Sequence, residues 1–171
     1  TENRHIHCLY QDSRGTIWVG TYGNGLICLG EDMKVLAEYN TNHPASGLTS
    51  KFITSFMEDS RKRIWITTEG GGINLAHPEQ KIDSLVFTNI TTKDGLTSNV
   101  TCAAAEDKEG TIWVSTTNGI TSISGNDLKV TGHLNGSNKV TGYQYSYGSV
   151  CSTPGGVLYF GNTDGMISFM P

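Results

Sequence analysis

Three stretches of the chain superpose on one another around a tryptophan, and no other feature limits the fold so tightly. IHCLYQDSRGTIWVGTYGNGL (6–26) aligns without a gap on ITSFMEDSRKRIWITTEGGGI (53–73), so Trp18 and Trp65 lie 47 residues apart. VTCAAAEDKEGTIWVSTTNGI (100–120) fits with one residue gained before Asp107 and one lost in its second turn, which makes Trp113 the third tryptophan of the series. A fourth stretch, YGSVCSTPGGVLYFGNTDGMI (147–167), is degenerate: Tyr159 takes the tryptophan position and Pro154-Gly155-Gly156 replaces the acidic turn. Between copies, SGLTSKF (46–52) matches DGLTSNV (94–100). A period of about 40 to 50 residues built only from strand-length apolar segments is the pattern of propeller blades, not of a helical solenoid.

Each copy divides into four strand-sized pieces separated by turns of Gly, Asn, Asp or Ser, which predicts a four-stranded antiparallel meander. The second piece (TIWVG, RIWIT, TIWVS, VLYFG) is nearly all apolar and β-branched or aromatic, as a strand covered on both faces must be, and neighbouring blades supply the covers. The alanines Ala103-Ala104-Ala105 favour a helix by propensity alone, but their place in the repeat puts them on an innermost strand, where small side chains suit crowding near an axis. The expected fold is all-β: about four propeller blades, at approximately 1–45, 46–92, 93–138 and 139–171, the last lacking its outer strand. With fifteen strands and an incomplete last blade, one partial propeller over 1–171 is expected, an arc of a larger ring whose open faces favour self-association.

Composition agrees. Twenty-one glycines in 171 residues and only 16% charged residues suit turns and sheets rather than exposed helices. A net charge of −4, with no basic run longer than Arg61-Lys62-Arg63, gives no footprint for nucleic acid. No apolar run reaches membrane-spanning length, and TENRHIHCLY lacks a signal-peptide pattern, so no membrane contact by this segment is expected. Cys8, Cys28, Cys102 and Cys151 are too scattered for a CxxC site and read as buried small hydrophobes. On a meander, Cys8 and Cys28 would stand about 9 to 10 Å apart, too far for a bridge.

The pattern D-x-x-G-x-I-W-V-G-T-x-x-G-L, preceded by D-G-L-x-S-N-x-V, resembles the two-component regulator propeller repeat. That repeat is found in extracytoplasmic sensor regions of bacterial hybrid histidine kinases. The resemblance covers three copies well and the fourth in part, and GGVLYFGNTDGMISFMP is similar to a terminal blade of such sensors. It implies a periplasmic sensor segment of an inner-membrane protein, non-catalytic itself, that detects oligosaccharide and signals to a kinase elsewhere in the parent. The alternative is a propeller for protein interaction or dimerisation, with the parent homodimer among its partners. Two departures stand out: Arg63 where copy two should have the turn glycine, and the altered fourth copy.

Asp12, Asp59 and Asp107 sit in equivalent turns and are read as acceptors of their own turns' N–H groups. The turn nears the sialidase-type aspartate box, S-x-D-x-G-x-T-W, but misses it by one extra residue and an absent Ser. Trp18, Trp65 and Trp113 are read as packing between blades rather than as sugar platforms, and Tyr159 as the structural repeat position of the fourth copy. Gly23 and Gly25, with Gly70, Gly71 and Gly72, open no helix and are turn glycines, not a dinucleotide fingerprint. His5 and His7 share one strand face without further ligands; of the other histidines, His43, His77 and His133, none pairs with another in sequence. Neither a metal site, a cofactor nor a catalytic residue is assigned. Recognition is expected from the loops joining second to third strands and from the blade-to-blade connections, which share one face. The candidates are Tyr22, Asn24, Glu69, Thr117, Asn118 and Asp164 from the former and Lys51, Asn99, Tyr143, Gln144 and Tyr145 from the latter. GSNKVTGYQYSYG (136–148), with three tyrosines in five residues, differs most from its counterparts and is the first place to look.

Overall fold

The computed structural model describes residues 4–134 and 144–171. Its described residues form four antiparallel sheets, each a meander in chain order. The first holds β1 (Ile6–Gln11), β2 (Ile17–Thr21), β3 (Leu26–Leu29) and β4 (Val35–Tyr39); the second β5 (Ile53–Glu58), β6 (Ile64–Thr68), β7 (Ile73–Ala76) and β8 (Thr88–Ile90). The third holds β9 (Thr101–Glu106), β10 (Thr111–Thr116), β11 (Gly119–Ser124) and β12 (Val130–Leu134). The fourth has three strands, β13 (Tyr145–Ser152), β14 (Leu158–Asn162) and β15 (Gly165–Phe169). This is the expected propeller arc, in which the sheets stack face to face and do not close into a ring. The first strand of each sheet lies innermost: β5 touches β1 and β9, and β13 touches both β9 and β5.

Each gap between blades is filled by its own apolar cluster. Trp18, Leu26 and Cys28 of the first blade pack on Ile53, Ile64 and Ile66 of the second. Trp65, Ile73 and Leu75 pack on Ala104, Ile112 and Val114 of the third. Cys102, Ala105, Ile120 and Trp113 meet Leu158, Phe160 and Phe169 of the fourth. Because β6 is covered on both sides it is buried at all five positions, including Thr67 and Thr68, whose hydroxyls are hydrogen-bonded. Ala103, Ala104 and Ala105 are buried in β9, which lies against both β5 and β13.

The aspartate turns repeat bond for bond. Asp12 Oδ1 accepts the N–H groups of Arg14 and Thr16, both at 2.9 Å, while Oδ2 accepts the Trp18 indole N–H at 2.9 Å. Asp59 does the same with Arg61, Arg63 and Trp65, and Asp107 with Glu109, Thr111 and Trp113. The turn carboxylate therefore fixes both the loop and the ring that fills the next interface, at about 1–3 kcal/mol for each donor left stranded if it were lost. In the fourth blade Thr153 substitutes with its hydroxyl, which accepts the Val157 N–H at 3.0 Å.

Two details depart from the sequence reading. The left-handed turn position, held by Gly15 (φ 85°) and Gly110 (φ 81°), falls in the second blade on Lys62 (φ 65°), not on Arg63. The 47-residue offset places Lys62 opposite Gly15; Arg63 is one position further on, buried, with its Nε 2.6 Å from Asp59 Oδ2. All four cysteines are free thiols, but only Cys28 and Cys102 are buried; Cys8 is half-buried and Cys151 is exposed on the open face of the last blade.

Neighbouring blades are also clamped at the turn end. Ser13 donates its N–H and hydroxyl to Glu58 at 2.8 and 2.5 Å, and Ser60 does so to Glu106, both at 2.6 Å. The equivalent residues of the third and fourth blades are Lys108 and Ser152, which cannot form that clamp.

Candidate functional site

The opposite end of the blades carries the loops that were expected to share a face, and the backbone shows why they do. Gly23 and Gly25, in the β2–β3 hairpin, both donate to the carbonyl of Lys51, on the connection into the second blade. Gly70 and Gly72 likewise donate to the carbonyl of Asn99 on the next connection. A Cβ on Gly25 would lie 2.0 Å from the Tyr39 carbonyl oxygen, and its φ is +83°, so the hairpin can approach that closely only with glycine.

With the loops so held, Tyr22 of the first blade and Glu69 of the second meet: the phenol donates to Glu69 Oε2 at 2.6 Å. Tyr147, on the innermost strand of the fourth blade, donates to the same oxygen at 3.2 Å. His7 on β1 completes the group, its ring edge-on to Tyr22 (centroids 5.6 Å) and to Tyr147 (5.5 Å). His5 lies 6.1 Å from the Tyr22 ring, and Phe52 packs against that ring at 4.8 Å. His7 Nδ1 sits 2.8 Å from the Ile53 carbonyl oxygen. A carbonyl only accepts, so Nδ1 carries a hydrogen and donates it to Ile53.

Tyr147 also lines a cleft of ≈250 Å³ with Cys102, Thr117, Gln144, Ser146 and Thr163, which extends the aromatic group toward the third and fourth blades. Burial, then the Glu69 charge and the hydrogen bond to it, push the Tyr147 phenol up to about 12. The hydrogen bond to Glu69 leads the smaller rise at Tyr22. Both tyrosines are thus donors at neutral pH. Cys102, at the floor of the cleft, is pushed up to about 12 by burial and then by Glu69, so it is an inert thiol rather than a nucleophile. Among the described residues no three His, Cys, Asp or Glu side chains are arranged to hold a metal ion.

Of the sequence candidates, Tyr22, Glu69, Thr117 and Gln144 come together at this end. Tyr145 reaches the cleft but its side chain is buried against Phe160, so it belongs to the third interface. Asn99 is taken up in the loop, its Oδ1 accepting the Thr92 N–H at 2.8 Å. Lys51 holds its ammonium 5.7 Å from the Phe52 ring centre. Asn24 is exposed; Asn118 donates to the Thr97 carbonyl at 3.4 Å, and Asp164 lies exposed at the β14–β15 hairpin. Tyr143 lies outside the described residues. His7, Phe52 and Tyr147 had not been selected; Tyr147 was within reach as the third tyrosine of YQYSY, whereas His7 gave no sign beyond pointing to the same side of its strand as His5.

Comparison with known proteins follows the same repeat. The family model of the two component regulator propeller matches residues 2–23, 47–70 and 94–118. Those three stretches are similar to two-component regulator propeller repeats. No curated protein matches the chain by sequence. Among solved structures, the extracellular domain of the hybrid two component system BT3049 from B. thetaiotaomicron superposes with a TM-score of 0.86 at 28% identity, over 97% of this chain and 22% of that one. The extracellular domain of BT4673 from the same organism, described as a one component system, superposes at 0.74 with 16% identity, over 97% of this chain and 22% of that one. A virginiamycin B lyase variant from Staphylococcus aureus superposes at 0.67 with 16% identity, over 100% of this chain and 57% of that one, a likeness of fold alone. The chain spans about a fifth of the two extracellular domains. Three stretches of the chain match the regulator propeller model, and its fold is similar to that of the extracellular domains of two-component systems; no helix among its described residues is long and apolar enough to cross a membrane.

Proposed function

We propose that this propeller segment is a non-catalytic sensor module on the outer side of the inner membrane, binding oligosaccharide at the axial face and passing the signal to a histidine kinase elsewhere in the parent. The observation that carries this is the convergence of Tyr22, Glu69, Tyr147 and His7 from three blades on one exposed spot beside a cleft. Aromatic edges and faces beside a carboxylate offer what a sugar ring presents, an apolar face and a fringe of hydroxyl donors. A ligand touching three blades at once also senses their relative position, which is what a signal needs.

Calorimetric titration of the complete extracytoplasmic region against an oligosaccharide panel tests this. Binding of a glycan that weakens at least tenfold in Tyr147→Ala and Tyr22→Ala supports it. Absence of binding by any glycan overturns it.

A second reading, self-association of propeller arcs or a parent homodimer, is favoured by one feature. Apolar side chains stand exposed on both outermost blades: Leu9, Met33, Val35 and Leu36 on the first, Met166 and Met170 on the fourth. Light scattering behind size-exclusion chromatography, with a monomer at every concentration, would count against it.

A further inference from the structure

Resting on the glycan reading, we propose that the axial site selects uncharged, hydroxyl-donating saccharides and rejects uronate- or sulfate-bearing ones, with Glu69 as the discriminating residue. Glu69 is fixed from below, its backbone N–H donating to the Phe52 carbonyl at 3.0 Å. Both phenols, Tyr22 and Tyr147, donate to its Oε2, which leaves the lone pairs of Oε1 for a ligand's donor. A sugar hydroxyl or amide N–H supplies that donor. A carboxylate or sulfate does not, and it sets a second negative charge within hydrogen-bond reach of the first.

No ion pair offsets that repulsion: among the described residues no lysine or arginine forms one with Glu69. Lys51, which belongs to the same loop face, directs its ammonium over Phe52. His7 Nδ1 is committed to the Ile53 carbonyl, so that nitrogen offers a ligand no donor. The tyrosine hydroxyls already spend their hydrogens on Glu69, so they too turn acceptor lone pairs outward. Glu69 Oε1 and the two phenol oxygens therefore ask for donors, and the net charge of −4 adds a long-range term of the same sign.

The test is calorimetric titration of the complete extracytoplasmic region with two oligosaccharide series of one backbone, galactose oligomers and galacturonic acid oligomers, extended to other neutral and uronate pairs. The expected result is that whichever backbone binds, its neutral member binds about 100-fold tighter than its uronate member. Glu69→Gln should narrow that ratio to below about tenfold. Without any variant, the uronate affinity should rise with added salt while the neutral affinity stays level. Uronate binding as tight as neutral binding, or a ratio that Glu69→Gln leaves unchanged in a protein that still binds the neutral member, overturns the selection while the glycan reading stands. Binding of no series overturns both.

Discussion

Two carboxylates sit at opposite ends of the second blade, and both accept hydrogen bonds from aromatic side chains. Asp59 takes its donors from Arg61, Arg63 and Trp65, none more than six residues away, and it is fully buried. Glu69 takes its donors from Tyr22 and Tyr147, 47 and 78 residues away on two other blades, and it is partly open to solvent. The first arrangement recurs in three blades and the second occurs once. A local, repeated, buried carboxylate builds the blade. A single, partly open one whose partners come from elsewhere depends on the blades being already assembled, and that is the arrangement a ligand can read.

Removing Asp59 should break the scaffold half of this comparison. Asp59→Ala leaves the Arg63 Nε–H and the Trp65 N–H buried without an acceptor, and the guanidinium keeps only the bond from Nη2 to the Gly125 carbonyl at 2.8 Å. The expected loss is about 3–5 kcal/mol of stability, read from the denaturant midpoint. Asp12→Ala lacks the buried arginine and should cost about 1–3 kcal/mol. Glu69→Gln should move the midpoint by less than about 0.5 kcal/mol, as for an exposed surface change. An equal loss at Glu69 would abolish the distinction.

The same contrast explains how much was legible beforehand. Asp12, Trp18 and their counterparts could be assigned to the scaffold because their bonds close within one turn, so three copies of the sequence displayed the geometry three times. The shared loop face followed from the meander, since strand order fixes which hairpins lie together. What brings His7 to Tyr147 is the curvature of the whole arc, set by packing between four sheets, and no local pattern encodes it. Cys151 was misjudged for a related reason: its strand position resembles buried ones, but no further described blade covers that face. Arg63 stands one residue beyond the turn glycine position, which the 47-residue offset assigns to Lys62.

The interfaces allow a finer comparison. The first two are clamped by Ser13 on Glu58 and Ser60 on Glu106, whereas the third is not. Pairing Lys108→Ser with Ser152→Glu should install the missing clamp and stabilise the chain by about 1 kcal/mol, while Ser60→Ala should cost a similar amount. Thermal unfolding of both variants tests this, and no gain from the double variant would mean that the third interface is spaced differently from the others.

The smallest expected effect bears on Glu69 itself and appears only in alkali. The Tyr147 phenol, pushed up to about 12 first by burial and then by the Glu69 charge, holds its proton in the folded chain after an unfolded tyrosine has lost it near pH 10. The folded state binds that proton more tightly, so the stabilisation is complete below about pH 10 and is lost as the pH rises from there toward 12. The difference between the ultraviolet titrations of the parent chain and Tyr147→Phe isolates this one phenol. In Glu69→Gln its midpoint should move down from about 12 without returning fully to 10, because burial remains when the charge is gone. A midpoint that does not move would mean that the carboxylate does not face the phenol in solution, and the convergence of three blades on Glu69 would fail with it.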